Sequence, residues 1–373
     1  MQIIYYGISH LNEILKDSGK VFLVCGDSYR SLVIKEEIEK ADVSYVYFDG
    51  YTPNPLYEQV CKGIELFQRT QCDTIMAVGG GSAIDVAKCI KLAVLAKEGK
   101  SVLIPPLVNI RVVCEGSKLP FVAIPTTAGS GSESTHNAVM YYKGAKQTIT
   151  NDGVLPDYVV LEPSVLKTLP LYQKKCTMMD ALCQGIESWW SINSTDESKV
   201  YSKKCVELVV ANWRKYIFDN NDEAAEQIML AANYSGRAIN ITATTAAHAM
   251  SYKITSLYKL PHGHAVAVCL PEVWKYMIEH IENCVDKRGK EYLENVFKGI
   301  VQAMGVQTPT EAITNFRCMM RQMELANPIS ERLQLDISLL ATSVNSIRLK
   351  NNPVKLDDNA IFILYKMILG NNI

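Results

Sequence analysis

The stretch that decides the fold is Thr74-Ile-Met-Ala-Val78, followed by Gly79-Gly80-Gly81-Ser82 and by an apolar segment over 83–96. Its β-branched and apolar start predicts a buried strand and its continuation a helix, so the glycines lie at a strand-to-helix turn. Glycine lets the backbone approach a phosphate without a Cβ clash, and free N–H groups at a helix start attract anions. We predict a pyrophosphate-binding loop with Ser82 as the N-cap; a purely structural turn is the alternative.

The same alternation of strand and helix continues on both sides of this loop. Strands predicted over 21–24, 44–48 and 121–125, with helices between them, are typical of a parallel, doubly wound sheet. Beyond residue 162, long segments with a period near 3.6 replace the strand-like runs. We predict an α/β, Rossmann-like nucleotide-binding domain over 1–162, an all-helical metal and substrate domain over 163–373, and a functional cleft between them.

The composition is that of a globular protein with small-molecule ligands. The chain has 373 residues, 48% of them hydrophobic, and a formal net charge of −1, without a Lys/Arg cluster that would favour nucleic acid or anionic lipid. No stretch reaches the about 18 uninterrupted apolar residues of a membrane span. The 11 cysteines form no CxxC pair, and the N-terminus lacks the pattern of a secretory signal. We therefore expect reduced thiols and a cytoplasmic protein.

A second loop of small residues follows the strand over 121–125. Its sequence is Thr126-Thr-Ala-Gly-Ser-Gly-Ser-Glu133, and such a loop can wrap a ribose or a nicotinamide. Thr126 and Ser130 could instead only cap neighbouring backbone groups. Two such loops after two strands favour a cofactor site.

Candidate metal ligands lie in the helical half. Asp180 and Gln184 are four residues apart and share one helix face, and three of the six histidines are His248, His262 and His264. The spacing matches no zinc-finger or HExxH pattern, so residue types alone leave packed histidines as the alternative to a metal site.

Four motifs occur in order along the chain: VGGGSAIDVAK (78–88), IPTTAGSGSE (124–133), MDALCQGIES (179–188) and LPHGHAVAVCLP (260–271). In this the sequence resembles the iron-containing (group III) alcohol dehydrogenases. The resemblance covers nearly the whole chain and implies a dehydroquinate synthase-like fold. It also implies an NAD(P)-dependent enzyme that uses one divalent metal, zinc or iron, to polarise a small carbonyl. A dehydroquinate synthase-type lyase fits these motifs less well.

The family pattern assigns one metal site to this chain. In the family the metal is held by an aspartate, a histidine one helical turn later and two further histidines. These positions map to Asp180, Gln184, His248 and His262, so Gln184 replaces one histidine ligand. A histidine that the family uses for proton relay maps to Tyr252, which can donate a proton but has a high ordinary pKa of about 10. The resemblance therefore implies Tyr252 and His262 as catalytic residues.

The family pattern also assigns the cofactor residues. The glycine loop would hold the pyrophosphate, and Thr126 and Thr127 would line the cofactor's path. The aspartate that selects NADH falls on Gly26 in an ungapped alignment and on Asp27 after a shift of one residue, so NADH and NADPH both stay open. The implied set is Gly26, Asp27, Asn54, Gly79, Gly80, Gly81, Ser82, Thr126, Thr127, Ser130 and Lys146.

The strings IESWWSINSTDESK and TTAAHAMSYKITSLYKLPHGHAVA resemble one subgroup, the phosphonoacetaldehyde reductases, which make 2-hydroxyethylphosphonate. A phosphonate needs cationic partners, and the candidates are Arg237, Lys253 and His264. Two alternatives stay open: an alcohol dehydrogenase for a substrate such as lactaldehyde or butanol, and a metal-free, non-catalytic nucleotide-binding homologue. The family resemblance further implies a homo-oligomer.

Overall fold

The computed structural model describes residues 2–96, 102–103, 119–344 and 349–370. The chain divides into two compact units. Unit 1 comprises Met1–Leu169 with Asn220–Met229, and unit 2 comprises Pro170–Asp219 with Leu230–Ile373.

Unit 1 is built on a sheet of six parallel strands. In chain order they are β1 (Ile3–Tyr6), β2 (Lys20–Cys25), β3 (Ser44–Phe48), β4 (Thr74–Gly79), β5 (Phe121–Pro125) and β8 (Tyr158–Leu161). Their spatial order is β1-β8-β5-β4-β2-β3. The central strands β4 and β5 are buried along their whole length, which explains their unbroken apolar sequence.

The order of these strands creates a switch point. From β2 the chain first moves outward to β3 and then crosses back over β2 to β4, so the two connections leave β2 in opposite directions. A crevice therefore forms where the carboxyl ends of β2 and β4 meet, and open α/β sheets bind their ligands in this place. Gly26 and the glycine loop directly follow these two strands.

The described residues of unit 1 form the helices α1 (Leu11–Leu15), α2 (Lys35–Glu39), α3 (Tyr57–Thr70) and α4 (Gly81–Leu95). Helix α4 packs against β4 and also against a hairpin of β6 (Asn137–Tyr142) and β7 (Ala145–Thr150). The sequence analysis missed this hairpin, although Lys143 and Gly144, both with positive φ, form the two-residue turn that favours one. Of the segment between β2 and β3, helix α2 covers only Lys35–Glu39, because a 3₁₀ turn occupies Asp27–Ser31.

The described part of unit 2 is built from helices that follow one another along the chain. They are α5 (Leu171–Trp190), α6 (Asp196–Phe218), α7 (Asp222–Thr242, which begins in unit 1), α8 (Ala246–Tyr258), α9 (His262–Glu279), α10 (Lys290–Ala303), α11 (Pro309–Gln322), α12 (Leu333–Thr342) and α13 (Asp358–Gly370). Local sequence sets their ends. At α11, for example, Thr308 Oγ1 accepts from the Glu311 N–H, while the Glu311 carboxylate accepts from the Thr308 N–H.

The predicted fold class is confirmed: a parallel α/β N-terminal part is followed by a helical C-terminal part. The ten cysteines in the described ranges are free thiols, and seven of them are buried. Among the described residues, no helix combines the length and apolar character needed to cross a bilayer.

Candidate functional site

The glycine loop sits at the switch point of unit 1. Gly79 ends β4, Gly80 is the N-cap of α4 in an extended conformation, and the helix begins at Gly81. Ser82 is therefore not the N-cap, and that prediction is wrong, because the helix begins earlier than the apolar run suggests. Its hydroxyl instead accepts a hydrogen bond of 3.3 Å from the Asn54 N–H, which ties the Thr-Pro-Asn-Pro turn to the loop.

The second loop packs directly on the first. The Thr126 N–H donates to the Gly79 carbonyl at 3.0 Å. A Cβ on Gly80 would lie 3.3 Å from the Thr127 side chain, and one on Gly81 would lie 2.8 Å from Ser130 Oγ. A side chain at either glycine would force the facing residue of the second loop to move. The structure thus brings together, at one strand edge, eight predicted cofactor residues: Asn54, Gly79, Gly80, Gly81, Ser82, Thr126, Thr127 and Ser130.

A buried lysine that the sequence analysis left without a role holds the second loop in place. Lys88 is completely buried on α4, and its ammonium donates to Ser132 O at 2.6 Å, Thr135 Oγ1 at 3.0 Å and Asn137 O at 2.7 Å. Burial lowers the pKa of Lys88 to about 8, although Asp85 and Glu133 oppose this. The amine thus connects the helix that follows the glycine loop to the end of the second loop.

The other predicted cofactor residues lie around these loops. Gly26 follows β2, the neighbour of β4, and Asp27 is exposed on the next turn. Lys146 lies on β7, where its charge acts on Asp85: burial raises the pKa of this carboxyl, and Lys88 and Lys146 lower it.

A compact cluster of metal-ligand types forms in unit 2. Asp180 on α5, His248 on α8 and His262 at the start of α9 offer three ligand atoms within 4.8 Å of one another. His248 Nε2 lies 3.4 Å from Asp180 Oδ1, and His262 Nε2 lies 3.9 Å from the same oxygen. Asp180 and His248 are buried, whereas the His262 side chain is 38% exposed.

This cluster fits a divalent metal. His248 Nε2 is buried and has no hydrogen-bond partner in the described part of the chain, so a ligating nitrogen faces the other two groups. Burial lowers the pKa of His248, but Glu187 and Asp180 outweigh it and raise the pKa to about 10. The carboxylates thus favour a cation at Nε2, either a proton or a metal. Two imidazoles and one carboxylate suit zinc or ferrous iron, with a position left for substrate.

Glu187 orients His248 and was missed from sequence. It is completely buried on α5, and one carboxylate oxygen accepts from His248 Nδ1. The other oxygen accepts from Thr245 Oγ1 at 2.6 Å and from the Ala247 N–H at 2.9 Å. A carboxylate on Nδ1 fixes the tautomer that leaves Nε2 free to ligate. The signal was an acid seven residues after Asp180, which places it on the same helix face.

Gly263 allows His262 to reach Asp180. A Cβ on Gly263 would lie 2.0 Å from the Cys176 carbonyl oxygen and 2.8 Å from Asp180 Cβ, so only glycine lets α9 start against α5. The glycine between His262 and His264 is therefore a packing requirement of the cluster.

Two family models match this chain. The model for iron-containing alcohol dehydrogenase matches residues 3–163, and that for the C-terminal part of the Fe-containing alcohol dehydrogenase family matches residues 175–369. The chain belongs to the iron-containing alcohol dehydrogenase family. The predicted family and the prediction of an enzyme of the alcohol dehydrogenase and aldehyde reductase type are thus confirmed.

The relatives of this iron-containing alcohol dehydrogenase include a phosphonoacetaldehyde reductase of Streptomyces viridochromogenes, 31% identical over 88% of this chain and 83% of that protein. The chain spans 57% and 61% of the length of two further curated relatives. Among solved structures, an iron-containing alcohol dehydrogenase of Thermococcus thioreducens has a TM-score of 0.89 at 22% identity, covering 99% of this chain and 98% of that one. A sulfoacetaldehyde reductase of Bifidobacterium kashiwanohense in complex with NAD+ has a TM-score of 0.85 at 23% identity, covering 99% and 97%. At these identities the structural likeness shows the fold.

Tyr252 adjoins the candidate metal ligands. It lies one helical turn after His248, and its ring is stacked on that of His262 with centroids 5.8 Å apart. His264 has a different environment. Its ring nitrogens pair with Tyr172 Oη and Ala326 O, both at 2.8 Å, and burial lowers its pKa. Both ring nitrogens of His264 are thus occupied within the protein, so we do not retain it as a phosphonate partner.

Arg237 and Lys253, the two cationic candidates for binding a phosphonate, differ in their surroundings. The Arg237 guanidinium lies 5.6 Å above the Tyr201 ring, and Arg237 stands two residues after Ser235, on another side of α7. Lys253 follows Tyr252 directly and is half-buried. Lys253 is thus adjacent in sequence to the residue that contacts His262, whereas Arg237 is stacked on a tyrosine.

Gln184 stands where the family resemblance implies a metal ligand, and its carbonyl oxygen accepts a hydrogen bond of 2.8 Å from Ser235 Oγ. To bind a metal as well, this oxygen would have to use its second lone pair.

We expect Gln184→His to raise the affinity for zinc about 10-fold or more, because an imidazole nitrogen is the better zinc ligand. Competition with a chelator measures this. Gln184→Ala is the control: a lower affinity would identify Gln184 as a ligand, and an unchanged one would exclude it.

Proposed function

We propose that this protein reduces phosphonoacetaldehyde to 2-hydroxyethylphosphonate with a reduced nicotinamide dinucleotide and one divalent metal. The observation that carries the reaction type is the cluster of Asp180, His248 and His262, whose three ligand atoms lie within 4.8 Å in a member of this family. The 31% identity to a phosphonoacetaldehyde reductase across 88% of the chain supports the substrate. The family resemblance supports a homo-oligomer. The free thiols of the described cysteines support a cytoplasmic location.

Residues of unit 2 would bind the metal and supply the proton in this reaction. Asp180, His248 and His262 would hold the metal, and Glu187 keeps the His248 imidazole in the ligating tautomer. When bound, such a metal acts as a Lewis acid that stabilises negative charge on the carbonyl oxygen during hydride transfer. Tyr252, stacked on His262, would bring its hydroxyl to the oxygen that gains a proton.

The cofactor would lie on unit 1. The glycine loop offers free backbone N–H groups at the start of α4 to a pyrophosphate. Thr126, Thr127 and Ser130 adjoin this loop and can bind the adjacent part of the dinucleotide through their hydroxyls. Lys88 binds Ser132 at the end of this second loop, and Lys146 adds a positive charge that acts on Asp85 nearby.

The substrate is tested by comparing phosphonoacetaldehyde with propionaldehyde in NADH and NADPH oxidation, after loading with zinc or ferrous iron. We expect kcat/KM to be about 10- to 100-fold higher for the phosphonate, since one charge-assisted hydrogen bond is worth about 1.5–3 kcal/mol. Lys253→Met should remove most of this preference, with Arg237→Met as the control because Arg237 is stacked on Tyr201. Metal-dependent turnover with no preference for the phosphonate would favour the rival alcohol dehydrogenase. No turnover with any aldehyde would favour the non-catalytic homologue.

A further inference from the structure

Tyr51 places a hydroxyl group over the switch point of the sheet. A Cβ on Gly26, after β2, would lie 3.4 Å from Tyr51 Oη, and one on Gly79, at the end of β4, would lie 3.8 Å from it. The hydroxyl is therefore close to both strand ends that form the crevice. A larger residue at position 26 would contact it, so glycine leaves it accessible from the β2 side.

The ring of Tyr51 is held while its hydroxyl is available. The Tyr51 side chain is half-buried and packs on Phe48 with ring centroids 6.4 Å apart. The backbone N–H of Tyr51 donates to Asp49 O at 2.8 Å. Within the described ranges, Tyr51 Oη makes no hydrogen bond. Burial raises the pKa of Tyr51, so the neutral phenol can both donate and accept.

The charges around this hydroxyl are mainly acidic. Asp27 and Asp49 both act on the Tyr51 phenol and raise its pKa further, and both carboxylates are exposed at the crevice. Arg30 is paired with Asp49 at 3.7 Å, so this cation is shared with a carboxylate. Two carboxylates and one guanidinium leave a net negative charge, which opposes a second phosphate on the ribose.

We propose that the Tyr51 hydroxyl binds the adenosine ribose of a nicotinamide dinucleotide, and that Asp27 and Asp49 beside it select NADH over NADPH. This rests on the proposed function, because it assumes that the dinucleotide lies at the glycine loop. A ribose 2′-hydroxyl can donate to and accept from a phenol, whereas a 2′-phosphate would meet two carboxylates. Position 26 carries no side chain that could make this contact, and Tyr51 provides it from β3's side of the crevice.

Binding titrations test this without turnover. The dissociation constants of NADH and NADPH are measured by fluorescence for the full-length protein, Tyr51→Phe and Asp27→Asn. Tyr47→Phe is the matched control, because Tyr47 lies on β3, close to Tyr51 in sequence, and its hydroxyl already donates a hydrogen bond of 3.3 Å to Glu39. We expect tighter binding of NADH than of NADPH, by about 10-fold or more. Tyr51→Phe should weaken NADH binding about 3- to 10-fold, Tyr47→Phe should leave it unchanged, and Asp27→Asn should tighten NADPH binding about 5-fold or more.

The outcomes separate the two proposals. Equal binding of NADH by Tyr51→Phe and by the unaltered protein would overturn the role of Tyr51. Equal affinity of the unaltered protein for NADH and NADPH would overturn the selection by Asp27 and Asp49. If the unaltered protein binds neither dinucleotide, the proposed function fails together with this inference.

Discussion

Replacing His262 with alanine is expected to abolish aldehyde reduction while NADH binding survives. The imidazole supplies one of three clustered ligand atoms, and its loss leaves only Asp180 and His248. Metal polarisation of the carbonyl is worth several kcal/mol, so kcat/KM should fall about 1000-fold or more. The side chain is 38% exposed, which makes a general loss of folding a small risk. Bound metal, turnover and the dissociation constant of NADH are measured on the same preparation.

The matched control for this experiment is His280→Ala. His280 terminates the same helix, α9, and its side chain is exposed beside Glu282. It should keep normal metal content and turnover. Undiminished turnover of His262→Ala would refute the proposed mechanism, and loss of NADH binding together with turnover would point to misfolding.

Replacing Glu187 with glutamine is expected to weaken metal binding about 10- to 100-fold, the usual effect of losing a carboxylate behind a histidine ligand. Glutamine keeps the volume, and its carbonyl can still accept from Thr245 Oγ1 and the Ala247 N–H. Its NH₂ group would then face His248 Nδ1 as a donor. The imidazole would have to carry its proton on Nε2, the nitrogen needed for the metal.

A purely structural role for Glu187 makes a different prediction. It would lower the melting temperature of the metal-free protein but leave the zinc affinity, measured by chelator competition, unchanged. Thr245→Val provides an intermediate control, because it removes one 2.6 Å hydrogen bond to Glu187 and leaves the carboxylate on His248. We expect a smaller loss of affinity for this variant. A zinc affinity of Glu187→Gln equal to that of the unaltered protein would exclude the positioning role.

Much of unit 1 could be predicted because its signals are local. A strand that is buried on both faces has an unbroken apolar sequence, and glycines after it mark the turn into a helix, so β4 and α4 were recognised within a few residues. Even here the helix start was misplaced, because Gly80, which has no side chain, takes the N-cap position instead of Ser82. The 3₁₀ turn at Asp27–Ser31 has no comparable periodic signal.

The sequence by itself determined the fold class, the family and the types of residue available for chemistry, since these depend on periodicity, turn residues and ordered motifs. Only the tertiary structure decided which side chains meet. Glu187 and His248 are 61 residues apart and share a hydrogen bond, and His264, two residues after His262, is turned away to Tyr172 and Ala326. Tyr51 likewise reaches Gly26 and Gly79 only because β3, β2 and β4 are neighbours in the sheet. Such contacts arise from the packing of distant segments, which leaves no periodic trace along the chain.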